Sequence, residues 1–101
     1  MFWMFAIDDQ GNAITHKGDS GGMSNAYKVE EGIFTGANKN FAEPEVGYCM
    51  QVGSMYSRSY SNQDWWTTTP VTEIVSRTEF DDKLEVIFKT KNSTYKWVNY
   101  G

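Results

Sequence analysis

Nowhere in this chain do apolar residues recur at intervals of three and four over a helix-length window. The second half instead alternates apolar and polar residues in short runs, separated by turn residues roughly every eight to twelve positions. A period of two sends successive side chains to opposite faces of a strand, so a chain patterned this way buries its apolar faces by stacking or curling sheets. The expected fold class is therefore mainly β, a small antiparallel barrel or a strongly bent sheet. No internal repeat divides the 101 residues, which are expected to form a single domain, 1–101, around one core.

The clearest run is 84–91, with Leu84, Val86, Phe88 and Thr90 on one face and Glu85, Ile87, Lys89 and Lys91 on the other. A turn at Asn92 and Ser93 leads into 94–100, where Tyr95 and Trp97 alternate with Lys96 and Val98. Residues 48–60 also alternate, with Tyr48, Met50, Val52, Tyr56, Arg58 and Tyr60 on one face and a bend expected at Gly53. After a turn at 61–64, residues 65–69 and 71–78 resume in β-favouring types, with Pro70 breaking the strand between them or placing it on an edge.

The first half is less regular. Residues 2–7 carry bulky side chains on both faces, which implies that both faces are covered, by other parts of the fold or by a partner; a homodimer would supply one. Turn residues at 8–12 and a short returning strand at 13–15 complete a hairpin. From 16 to 45, glycines at 18, 21, 22, 32 and 36 interrupt every pattern. That stretch reads as a long glycine-rich loop with at most one short element near 26–34, and it leaves room for a short helix. Loops of this length in compact domains are functional, mobile or ordered by a partner.

The net charge is −4, with seven acids against three bases in residues 1–50 and six of each in 51–101. Such acidity repels phosphate backbones and disfavours general nucleic-acid binding, while it suits a partner with a basic surface. Cys49 is the only cysteine, which excludes an intramolecular disulfide and makes a cytoplasmic setting the default. The apolar start is too short for a span and lacks a basic region before it or a cleavage site after it, so neither a signal peptide nor membrane association is expected. Asn92, Ser93 and Thr94 fit a glycosylation acceptor but read as a turn.

Side chains able to do chemistry are scattered. Gly18, Asp19, Ser20, Gly21 and Gly22 resemble the segment around the nucleophile of chymotrypsin-like serine proteases. That family needs a His and an Asp well upstream, and only 19 residues precede Ser20. His16 could lower the thiol pKa of Cys49 if the two met, yet nothing in the spacing brings them together. These two residues cannot complete a structural zinc set, and no cofactor is implied. Lysines 83, 89, 91 and 96 with Arg77 interleave with Phe88, Tyr95 and Trp97; this fits either single-stranded nucleic acid or, as the preferred reading, the polar outer face of paired strands.

Asp64, Trp65 and Trp66 resemble the paired tryptophans of Src-homology-three domains, a likeness confined to those residues. Adjacent strand residues face opposite ways, so one Trp can enter the core while the other is presented for binding. The run Phe88 to Tyr95, with Trp65, Trp66, Thr67, Thr68, Thr69, Pro70, Val71, Thr72, Glu73 and Ile74, resembles small uncharacterised proteins of tailed bacteriophages. That resemblance implies a phage origin, action in the host cytoplasm, and work by binding and blocking a host factor. The expected function is that of a non-enzymatic binding protein that engages and inhibits a host protein, such as a defence-system component. Its expected contact residues are Tyr56, Arg58, Tyr60, Trp65 and Trp66, with Glu30, Glu31, Glu43 and Glu45 steering toward a basic partner surface. The alternative is sequestration of a small molecule or nucleotide signal by aromatic stacking with Arg58, Arg77 or Lys89.

Overall fold

Alternation becomes a common apolar face when neighbouring strands share a register. In a computed structural model the described residues form nine strands: β1 (Phe2–Ile7), β2 (Ala13–Gly21), β3 (Met23–Glu30), β4 (Ile33–Ala37), β5 (Cys49–Gly53), β6 (Trp65–Thr67), β7 (Val71–Glu79), β8 (Lys83–Thr90) and β9 (Thr94–Tyr100). The structure describes residues 1–30, 33–37, 43–53 and 65–100, of which 15, 16, 29, 30, 33–37 and 65 are described in backbone only. The strands make two antiparallel sheets, one of five strands ordered β2-β1-β9-β8-β7 and one of four ordered β4-β3-β5-β6.

In the five-stranded sheet Met4 pairs with Trp97 and Trp97 with Val86, while Ala6 pairs with Tyr95 and Tyr95 with Phe88. All six therefore point to one face, and all six are buried. The four-stranded sheet answers with Ala26 opposite Met50 and Ser24 opposite Val52, again buried, and Trp66 opposite Val52 is packed against the same core. Small residues lie beside large ones, Ala6 beside Tyr95 and Ala26 beside Met50, a pairing that lets the cross-strand layers interdigitate. The Phe88 and Tyr95 rings stack at 5.4 Å and 19°, and Phe2 tilts over Trp97 at 5.8 Å.

Two bends carry the chain between sheets. Gly22 alone separates β2 from β3, so a nearly continuous strand leaves one sheet and enters the other. Pro70 stands at the second bend. Past β6 the chain stays beside β5, with the Thr68 amide donating to the Met50 carbonyl (2.8 Å) and the Val71 amide to the Tyr48 carbonyl (2.8 Å), before β7 joins the five-stranded sheet. Strands that switch sheets at bends are how the corners of crossed β packings are turned.

The mainly β expectation holds, with two packed sheets in place of a closed barrel. The glycine-rich stretch differs most from its reading. Described residues that were expected to be loop form most of β2, β3 and β4, and no helix appears among the described residues. The physical reason is that the inward positions of β3 are Ser24 and Ala26, too small or too polar to register as an apolar stripe, although both are buried. Gly18 in β2 answers a packing need rather than a turn: a Cβ there would collide with the Met4 carbonyl and the Phe5 ring, and would lie 2.8 Å from Phe5 Cα. The hairpin at 8–12 is as expected. The Asp8 carboxylate accepts the Gln10 and Asn12 amides, each at 2.9 Å, and Gly11 supplies the positive φ of 83°.

The Trp97 indole N–H donates across the core to Ser24 Oγ at 2.9 Å, which joins β9 of one sheet to β3 of the other. Replacing Ser24 with Ala leaves a buried donor without this acceptor and is expected to cost about 1–3 kcal/mol. Denaturant unfolding of Ser24→Ala against wild type measures it, and an unchanged midpoint would show that the bond contributes nothing.

Candidate functional site

The residues expected to form a contact surface are placed as follows. Tyr56, Arg58, Tyr60 and Glu31 lie outside the described residues, and Glu30 ends β3 with only its backbone described. Trp66 faces inward: it pairs with Val52, packs on the core, and its Nε1–H donates to the Tyr95 hydroxyl at a long 3.4 Å. Trp66 is partly buried, so its indole takes part in the core packing while some of its surface stays open. Trp65 pairs with Gly53 at the adjacent register position and is described in backbone only.

Glu43 is ion-paired with Arg77, which also donates to Glu79 at 2.9 Å, and Glu45 is exposed nearby. Arg77 pairs with Val86 and Lys89 with Thr94, so the register sets these two on opposite faces of the sheet. They do not converge on a common ligand. Phe88, Tyr95 and Trp97 are interior, while Lys83, Lys89 and Lys96 take the outer face. The interleaving of bases and aromatics is therefore the two-sidedness of β8 and β9, as the preferred reading had it. Ser20 sits in β2 opposite Trp3, and its amide donates to the Asp19 carboxylate at 2.7 Å. Cys49 is buried in β5, and burial pushes its thiol above the ordinary range, which disfavours the thiolate. Tyr27 faces it across the strands; burial first, then the neighbouring Cys49, raise its hydroxyl as well.

The larger feature is one that the sequence signalled only indirectly. In β1 the inward residues Met4 and Ala6 are buried, but Trp3, Phe5 and Ile7 form an apolar row on the outer face of the five-stranded sheet. Across the ladder Trp3 meets Val98 and Phe5 meets Lys96. Trp3 lies edge-on to both Phe5 and Tyr100, with centroids 5.8 Å apart in each case. Trp3 and Tyr100 remain 42% and 39% exposed, while Val98 is buried although it faces outward. Together with Gly11, Ala13 and Ile7 at the hairpin end, these residues line a groove of about 340 Å³. The bulky residues on both faces of 2–7 carried this signal. The structure covers one face with the second sheet and leaves the other partly open.

Beside the groove Glu85 receives two ammonium groups, Lys83 at 3.1 Å and Lys96 at 3.0 Å. Burial works to raise the Glu85 carboxyl, but the hydrogen bonds from Lys96 and Lys83 outweigh it and hold the group below the usual glutamate range.

A second surface lies along β7, the last strand of the five-stranded sheet. Residues 43–48 run beside it, with the Gly47 amide on the Val71 carbonyl at 2.9 Å and Glu43 on Arg77. Val46, Val75 and Phe80 are 54%, 48% and 50% exposed along this edge, among Glu43, Glu45, Glu73, Glu79, Asp81 and Asp82. The Lys83 ammonium caps the Phe80 ring at 5.1 Å. Among the described residues no group of three or more His, Cys, Asp or Glu side chains could hold a metal ion, and no helix is long and apolar enough to cross a membrane.

Compared with protein-family models, curated proteins and solved structures, the chain finds no match.

Two predictions follow from the outer face. Because the folded carboxyl of Glu85 lies below its unfolded value, its contribution is present above roughly pH 4.3 and is lost as pH falls through the lowered folded value. The stability difference between wild type and Glu85→Gln should therefore shrink as pH falls through the lowered folded value in denaturant titrations; a gap constant with pH would contradict the assignment. Gly18→Ala forces the Phe5 ring off its seat and is expected to destabilise by about 1–3 kcal/mol, read in the same assay.

Proposed function

We propose that this chain is a non-enzymatic binding protein of phage type that engages a host protein through a basic surface on that partner and blocks it, a component of a defence system being the kind of target meant. The observation that carries this reading is the β7 edge, where Val46, Val75 and Phe80 stand exposed among six acidic residues, which outnumber the neighbouring Arg77, Lys83 and Lys89, the last opposite Glu73. Apolar side chains supply the desolvated anchors of an interface, and a ring of acids around them raises the encounter rate with a basic partner. The likeness of the second half to small phage proteins supplies the setting, a bacterial host cytoplasm.

The test is affinity capture from a bacterial lysate followed by a measured Kd for the captured protein. Phe80→Ala is expected to weaken binding roughly tenfold, and reversing Glu79, Asp81 and Asp82 to Lys is expected to slow association and remove its dependence on salt. Binding that ignores all four substitutions would rule this edge out.

A second reading, sequestration of a small molecule, is favoured by the outer-face groove, whose volume of about 340 Å³ falls within the range of ligand sites, roughly 300–1,000 Å³. In this reading stacking comes from Trp3 and Tyr100 rather than from a site built on Arg77 and Lys89.

A further inference from the structure

Resting on this second reading, we propose that the outer-face groove binds a small apolar anion: an aromatic or branched aliphatic body laid between Trp3, Phe5, Val98 and Tyr100, with a single carboxylate or sulfonate held by Lys96. The apolar lining fixes the first half of that description. Trp3 and Tyr100 present ring faces and edges at one end, Ile7 and Ala13 close the other, and Val98 and Phe5 lie between them. A sugar or a nucleotide phosphate would leave most of its hydrogen-bonding groups unpaired against such a lining.

Charge fixes the second half. Lys96 is the one charged residue among the described residues lining the groove, and its side chain is 40% exposed. An ammonium has three N–H donors, and Glu85 takes one of those on Lys96. Glu85 is shared with Lys83, so the trio Lys83, Glu85 and Lys96 carries two positive charges against one negative. Its excess of one cation sits at the groove of a chain whose net charge is −4. Of the nearby hairpin carboxylates, Asp8 is engaged by the Gln10 and Asn12 amides, and Asp9 lies beyond Ile7 at the far end from Tyr100. An incoming anion gains a charge-assisted hydrogen bond next to a low-dielectric surface, where such bonds are stronger than in water. A second copy of the chain is a poorer occupant, because a two-fold contact through this face would bring a second cationic excess against the first.

Two probes with the same aromatic body separate the contributions: 8-anilinonaphthalene-1-sulfonate, an anion, and N-phenyl-1-naphthylamine, which lacks the sulfonate. Titration of the intact chain, read by probe fluorescence and by energy transfer from tryptophan, should give one anion per chain, bound roughly tenfold more tightly than the amine. Lys96→Met keeps the apolar stem and removes the charge; it should abolish that tenfold preference while leaving the amine unchanged, and Lys96→Arg should restore it. Trp3→Ala, at an exposed position, should weaken both probes. Thermal melts of each variant establish that it is folded. Equal binding of the two probes, indifferent to Lys96 but sensitive to Trp3, would overturn the anion while leaving a small-molecule groove. No saturable one-to-one binding of either probe would overturn the groove itself. Loss of probe binding as light scattering shows the mass doubling would give the face to a second copy, and the proposal would fall.

Discussion

The indole of Trp97 is the contact on which the rest of the packing depends. It rises from the central region of the five-stranded sheet, is 1% exposed, and reaches Ser24 of the four-stranded sheet with its only polar atom. A two-sheet core needs residues large enough to bridge the roughly 10 Å between layers, and a tryptophan with a satisfied N–H does so without stranding a donor. Phe2 packs on one side of it, and Met4 and Val86 flank it along the ladder. Ser24 is buried for the same reason: in an apolar layer its hydroxyl has value as an acceptor for that indole.

How much of this was legible follows from which residues do the packing. The run at 84–91 and the run at 94–100 correspond to β8 and β9 almost to the residue, because large side chains alternate with charged ones and leave no other period. The division of β5 was equally plain, with Met50 and Val52 on the core face. In contrast, β2 and β3 were hidden. Their inward or close-packed positions are occupied by glycine, serine and alanine, because the bulk that fills the space comes from Phe5, Trp97 and Met50 on neighbouring strands. Apolar periodicity measures a strand's own side chains and is silent where the partner supplies the volume. Closure was also illegible. Gly22 and Pro70 mark the bends that pass the chain between sheets, and a sequence shows a bend without showing which sheet the strand joins next.

The candidate surfaces divide along the same line. For Trp65 and Trp66 the alternation said that one would be interior and the other would face away, and pairing of Trp66 with Val52 decides which packs on the core. Trp3 and Tyr100 are 97 positions apart in sequence and meet only because β1 pairs with β9, so no local pattern could have joined them. What the sequence did carry was the anomaly of a strand apolar on both faces. Such a strand calls for two coverings, and the fold provides one.

The outer face of the five-stranded sheet and its β7 edge have opposite electrostatic character, although both are built on adjacent strands. Glu85 is the reason they stay distinct. Cross-strand pairing puts it opposite Val98 and next to Lys96, so its charge is spent on the two lysines instead of adding to the acids around Phe80. Lys83 sits at the boundary, with its ammonium 5.1 Å from the Phe80 ring on one side and 5.8 Å from the Tyr100 ring on the other. Moving Glu85 by one position would place it on the core face beside Trp97, where an unpaired carboxylate is expelled, so the strand's register and the separation of charge are one constraint. A chain of this size thereby carries an acidic, apolar edge and a cationic, apolar groove, with the same β8 strand bordering both.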